Sequence, residues 1–254
     1  MNDSFALWLT FLLVLGRIFS LLVTAPLFSR RDIPMQSKVG LGMFLSLIIM
    51  ARGQSAFIGG TAEFLQALVA EVMGGLVIGI LASWLLASFS MGGQLMDQQA
   101  GFGTASVLDP GTATTVTLLG NLLLFIGLLL FLELNGHHLI ILGLVRSFAL
   151  VPVGGLSLPL TVTEWAVRAL LLATVLALRL AMPILAVIII TDLSLGMIGR
   201  AVPQLNVLML GLPLKAGIAL LILGVLSPLF LDVGHSLVSH IEALVGAALE
   251  GLRP

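Results

Sequence analysis

Apolar side chains run through this sequence in long continuous stretches rich in Leu, Ala and Gly, not in strict alternation with polar ones. That pattern predicts helices and argues against the alternating strands of a membrane barrel. Seven segments stand out: Phe5 to Thr24, Val39 to Ala51, Ala62 to Met96, Val116 to Leu132, Leu139 to Val151, Ala166 to Thr191 and Val207 to Leu231. A helix crossing the hydrocarbon core needs about 20 largely apolar residues, and several segments approach that length. Prolines punctuate the pattern at Ala25-Pro26, Ile33-Pro34, Val151-Pro152 and Val202-Pro203. The residue before each is pushed out of helical geometry, so these sites mark the turns of helical hairpins.

Three features refine this outline. Gly75, Gly79, Ser83 and Ala87 recur at every fourth position and form one small-residue ridge. Such a ridge admits close packing with a neighbouring helix, either of the same chain or of a partner. Within residues 235–254, Leu237, Val238, Ile241, Leu244, Val245 and Leu249 share one helical face, which predicts an amphipathic helix made for an interface. Between two very apolar runs lies MDQQAGFGTASVLDPGT, a stretch of Gly, Gln, Ser and Thr bracketed by Asp97 and Asp109. So polar a segment inside a membrane protein must sit in protein or water.

Composition turns this outline into a class. Hydrophobic residues make up 59% of the 254 positions, charged residues 9%, and the mean hydropathy is +1.20. A soluble domain carries about a quarter charged residues, so this chain is read as a single all-α integral membrane unit, residues 1–254, with Pro- and Gly-broken helices. A net charge of −1 offers no basic surface for nucleic acid. The absence of cysteine removes disulfides, thiolate metal sites and cysteine nucleophiles together. The N-terminus lacks the basic start of a cleavable signal peptide, so its apolar run is expected to persist as the first helix.

The few charges within the apolar runs are the candidate chemistry. An Arg near the middle of a lipid-facing helix costs at least about 2.5 to 3.5 kcal/mol. Arg17, Arg179 and Lys215 are therefore expected to face protein or water, which favours a multi-subunit assembly or an internal aqueous path. Asp192 and Arg200 are eight residues apart, on a similar face if their helix continues. Glu71, Asp97, Glu133 and Asp192 could relay protons in a secondary transporter, or equally cap helices or pair with arginines. No convincing self-similarity between the two halves supports the transporter alternative. His137-His138 point about 100° apart on a helix and have no second histidine cluster, so they read as a polar helix start after Asn135-Gly136. No GxSxG elbow or Walker-type phosphate loop is present, and neither a cofactor nor a metal is called for.

Four phrases, read in order, become specific together. They are Arg17-Ile-Phe-Ser with Ala25-Pro-Leu-Phe-Ser and Ile33-Pro; Gly93-Gln-Leu-Met-Asp-Gln-Gln-Ala-Gly101 with Asp109-Pro110; Asn135-Gly-His-His with Ser147-Phe and Pro152-Val-Gly; and Asp192-Leu-Ser-Leu-Gly196 with Arg200-Ala-Val-Pro-Gln-Leu-Asn206 and Gly211-Leu-Pro-Leu-Lys215. From about Arg17 to Leu231 the chain resembles the FliR family, export-gate subunits of the bacterial flagellar type III secretion system, and their injectisome counterparts. The second and fourth phrases look more flagellar. The resemblance implies a non-enzymatic subunit of a helically arranged core complex with FliP-like and FliQ-like subunits. It would work beside FlhB and FlhA in the inner membrane, at the flagellar basal body, and pass unfolded export substrates. It also implies a loop that plugs the closed pore, and by position that loop maps onto residues 94–112, with Gln94, Asp97, Gln98, Gly101, Phe102, Gly103, Asp109 and Pro110. Glycines on either side of Phe102 would let an apolar side chain block and withdraw, and Asp109-Pro110 would start the next helix.

Overall fold

A computed structural model describes residues 3–30, 33–53, 57, 59–102, 117–156, 162–204 and 206–252. The described residues form eight helices: α1 Asp3–Thr24, α2 Met35–Ala51, α3 Thr61–Ala100, α4 Leu118–Glu133, α5 Gly136–Leu150, α6 Val162–Ala201, α7 Val207–Val225 and α8 Ser227–Gly251. Three of them, α1 from Ser4, α3 and α6, are long and apolar enough to cross a membrane. The count rises to five if each of two bent pairs, α4 with α5 and α7 with α8, makes one span. This is the all-helical membrane class expected from the unbroken apolar runs.

Helix ends differ from the expected ones where a helix runs on through polar residues, several of them weak helix formers whose propensity is overridden by tertiary context. α3 continues past Met96 through Asp97-Gln98-Gln99-Ala100, and α6 continues past Thr191 through Asp192-Leu-Ser-Leu-Gly to Ala201. Pro183 and Pro213 lie inside α6 and α7, so in these two helices proline removes one backbone bond without ending the helix. The run expected over Val207 to Leu231 is two helices that meet at 64° around Leu226, where Pro228 enters the first turn of α8 and cannot donate a helical bond to α7. Between α4 and α5, Asn135 has φ 57, a left-handed conformation that Asn tolerates better than most side chains.

The chain divides into two compact units, and α3, α6 and α8 each contribute to both. The first unit comprises Met1–Leu85, Asn135–Leu170 and Val238–Pro254. In it α2 packs on α1, with Gly42 close to Leu15, Phe19 and Leu22. The expected amphipathic face of the C-terminal helix is buried at Ile241, Leu244, Val245 and Leu249. Its occupant is the same chain, since a Cβ on Gly143 of α5 would meet Val245 at 3.0 Å. The second unit comprises Leu86–Leu134 and Leu171–Leu237. Phe89, Leu119, Leu123 and Phe131 are wholly buried in it.

The small-residue ridge is also filled from within. Gly75 lies against the Arg17 carbonyl and Ser20, Gly79 lies against Thr24, and the Ser83 hydroxyl donates to the Thr24 carbonyl. A side chain at either glycine would overlap α1 backbone or hydroxyl atoms, so glycine sets the α1–α3 approach in the first unit. A partner helix therefore has no room over these three positions. Ala87, the fourth, belongs to the second unit and is half-buried.

Candidate functional site

Three clusters place most of the charged and polar residues singled out in the sequence. In the first unit Arg17 is fully buried, and its Nε donates to the Glu71 carboxylate. Its Nη1 donates to Ser147 Oγ at 3.2 Å and to the Val151 carbonyl at 3.3 Å, while the guanidinium lies 4.3 Å from the centre of the Phe148 ring. The other Glu71 oxygen accepts the Gly154 N–H at 2.9 Å. One ion pair thus ties α1, α3, α5 and the turn after α5 together. Arg17 is thus enclosed by protein, and Glu71 is its counter-ion. A carboxylate already shared between a guanidinium and a backbone amide is arranged as a structural pair, not as a relay.

In the second unit the end of α3 is fastened by Asp97, which is 3% exposed. Its two carboxylate oxygens accept the Leu119 and Gly120 N–H groups at 2.9 and 3.0 Å. These are unsatisfied donors of the first turn of α4, whose own N-cap residue, Thr117, makes no side-chain cap. A carboxylate at a helix N-terminus also favours the positive end of the macrodipole. Asp97 therefore caps α4 from another helix. The Asp97 carbonyl accepts the Phe102 N–H at 3.1 Å, and Gly101 between them has φ 86. That six-to-one bond around a left-handed glycine closes α3 in a Schellman motif. Close approach is possible because Gly93 has no side chain: a Cβ there would sit 2.5 Å from the Leu119 carbonyl. Gly92 does the same for α6, its Cβ position lying 2.9 Å from the Ala177 carbonyl.

This corrects the loop expected over 94–112. Residues Gln94 to Ala100 are the last turns of α3: Gln and Met are good helix formers, and Asp97, a weak one, is held there by its bonds to the first turn of α4. Gln94, Gln98 and Gln99 are exposed there, and Gln94 hydrogen-bonds Ser90 at 3.1 Å. Gly101 and Phe102 follow the helix end and are half-buried. Gly103, Asp109 and Pro110 lie outside the described residues. What the sequence missed is that one residue, Asp97, binds the chain on both sides of positions 103–116. The signal was the Gly93-Gln-Leu-Met-Asp97 spacing, which puts a small residue and an acid one helical turn apart on α3.

The third cluster is on α6 and α7. Lys215 Nζ meets Asp192 Oδ1 at 3.0 Å, with side chains 17% and 44% exposed. Asp192 therefore pairs across to α7 and not along its own helix to Arg200, which is exposed, as is Arg179. Of the five residues expected as buried charges, only Arg17 is fully enclosed by its own chain. Glu133 is exposed at the end of α4.

Comparison with known proteins fits this arrangement of apolar helices and sparse charge. Residues 8–241 match the family described as bacterial export proteins, family 1. The chain is 30% identical over 249 residues to the flagellar biosynthetic protein FliR of Bacillus subtilis, which covers 96% of each chain. It is 28% identical to FliR of Escherichia coli, over 93% of this chain and 91% of that one. Against FliR of Aquifex aeolicus it is 32% identical over 87% of this chain and 86% of the other. With the match running through α1 to α8 and the apolar helices that carry it, the chain belongs to the FliR family of bacterial export proteins.

Proposed function

We propose that this protein is a membrane subunit of the flagellar type III export gate and builds its pore together with FliP-like and FliQ-like subunits. It would sit in the bacterial inner membrane at the flagellar basal body, beside FlhB and FlhA, and pass unfolded flagellar substrates without catalysing a reaction. The observation that carries this reading is family membership over residues 8–241 of an all-helical chain. The fastened end of α3 adds a mechanical rationale. A pore for unfolded chains of any sequence needs a lining with few fixed charges, and residues 98–108 contain none. A plug of this kind needs an anchored base, and on this reading the bonds of Asp97 to Leu119, Gly120 and Phe102 would provide one. On this reading Phe102 and the residues after it obstruct the closed pore.

The transporter alternative loses support from the same geometry. Glu71, Asp97 and Asp192 each have a structural partner: Arg17, the α4 N-terminus and Lys215. The plug is tested by deleting Gly101 to Ser106 in the assembled gate and measuring ion leak across the membrane with secretion blocked. The deletion should raise conductance above wild type, and an unchanged leak would remove the plug from these residues.

A further inference from the structure

Arg179 occupies an unusual place on α6. From residue 169 to residue 191 it is the one charged side chain in an otherwise apolar helix, yet it is exposed. It shares its stripe with Leu171, Val175, Met182, Ile190 and Leu193, which are 61%, 49%, 60%, 61% and 66% exposed, and all of them belong to the second unit. Successive members are three, four or eight residues apart, so the stripe is one continuous helical face. Arg17 and Lys215 have acids of their own chain, whereas Arg179 has no hydrogen-bond or ion-pair partner among the described residues. Apolar residues on either side make lipid the natural neighbour of the stripe, and a guanidinium facing hydrocarbon there is strongly disfavoured.

We infer that the α6 stripe centred on Arg179 is the docking surface for an apolar helix of another membrane subunit, and that this helix presents a carboxylate to Arg179. The inference rests on the gate reading above, since it needs a sister subunit. Charge complementarity selects the partner. Arg is weakly hydrated and offers a planar fork that holds a carboxylate in two parallel bonds, so it suits an ion pair enclosed between helices. Exposed Leu, Val, Ile and Met around it would form the dry rim that keeps water from the pair. A lipid-facing stripe would instead tolerate, or prefer, an apolar residue at this position.

The test uses the intact export assembly extracted in mild detergent. Because the sequence contains no cysteine, a lone Cys at Val175 or Met182 gives a clean crosslinking handle beside Arg179. Crosslinking should capture one membrane subunit, whose acidic residue at that depth can then be identified. Arg179→Leu should reduce recovery of the assembly at least about tenfold, the scale expected when one member of a desolvated charge pair is removed. Arg179→Lys should retain part of it. Arg179→Glu should be rescued by changing the partner's acid to Arg, while the melting temperature of the isolated variants matches wild type. Wild-type recovery for Arg179→Leu, with crosslinks to lipid only, would overturn the inference. If the wild-type chain brings down no other membrane subunit, the gate reading itself fails first.

Discussion

Two ion pairs in this chain have the same chemistry and opposite surroundings. Arg17 and Glu71 are sealed in the first unit, with side chains 1% and 0% exposed, and make further hydrogen bonds to Ser147 of α5 and to Val151 and Gly154 in the turn after it. Lys215 and Asp192, in the second unit, bridge α6 and α7, with Lys215 17% and Asp192 44% exposed. The first pair is enclosed by one chain, with only Arg17 Nη2 left without a hydrogen-bond partner among the described residues. The second lies among exposed apolar residues, such as Leu193, Met209 and Leu214 at 66%, 75% and 46%, on helices that the chain alone leaves uncovered. A single polypeptide thus contains one ion pair enclosed by its own helices and one left part-exposed among apolar side chains, and on the export-gate reading the second is where a sister subunit would pack.

Breaking the sealed pair should have the largest effect. Glu71→Gln leaves Arg17 buried without a counter-charge and should destabilise the protein by about 3 to 5 kcal/mol, read as lower melting temperature and yield in detergent. Replacing both members, Arg17→Met with Glu71→Leu, should recover much of that loss, since no isolated charge remains. A double variant as unstable as the single one would show that the pair acts chiefly by positioning its neighbours.

Gly75→Leu comes next. Its side chain would enter space held by the Arg17 carbonyl and Ser20, so overpacking should cost about 1 to 3 kcal/mol, or more if α1 cannot shift. The loss should appear in the isolated chain, before any partner is added. Instability confined to the assembled complex would instead assign the ridge to an outside helix.

Asp97→Ala removes two bonds from the first turn of α4 and should cost about 1 to 2 kcal/mol, the range for losing a helix cap. Faster amide exchange at Leu119 and Gly120, with Arg17 and its neighbours unchanged, is the expected signature. Lys215→Ala should cost the isolated chain least, about 0 to 1 kcal/mol, because the pair is part-exposed. In the assembled state its cost should rise as cover is added. Equal small effects in both states would erase the contrast between the two pairs.

These expectations also show what was readable before the fold was known. Long apolar runs made the helices and the membrane class plain, because burial in lipid imposes a composition that local rules detect directly. The turns at Pro26, Pro34, Pro152 and Pro203 were equally local. Helix ends were less so: Asp97-Gln98-Gln99 could serve a helix or a loop, and only the left-handed Gly101 decides where α3 stops. Partners were least readable. Arg17 finds Glu71 54 positions away and Asp97 finds Leu119 22 positions away, distances at which sequence spacing carries no geometric information. The ridge from Gly75 to Ser83 was visible, but not that α1 fills it. Asp192 illustrates the same limit, since helical spacing placed it only on a face shared with Arg200, while its partner, Lys215, comes from the neighbouring helix.

The central claim is that this chain is built to be completed by sister subunits around a pore. Its most direct test is the native mass of the tagged protein purified from its own membranes in mild detergent. The account predicts a single large complex containing FliP-like and FliQ-like chains; a stable monomer or homodimer free of them would contradict it.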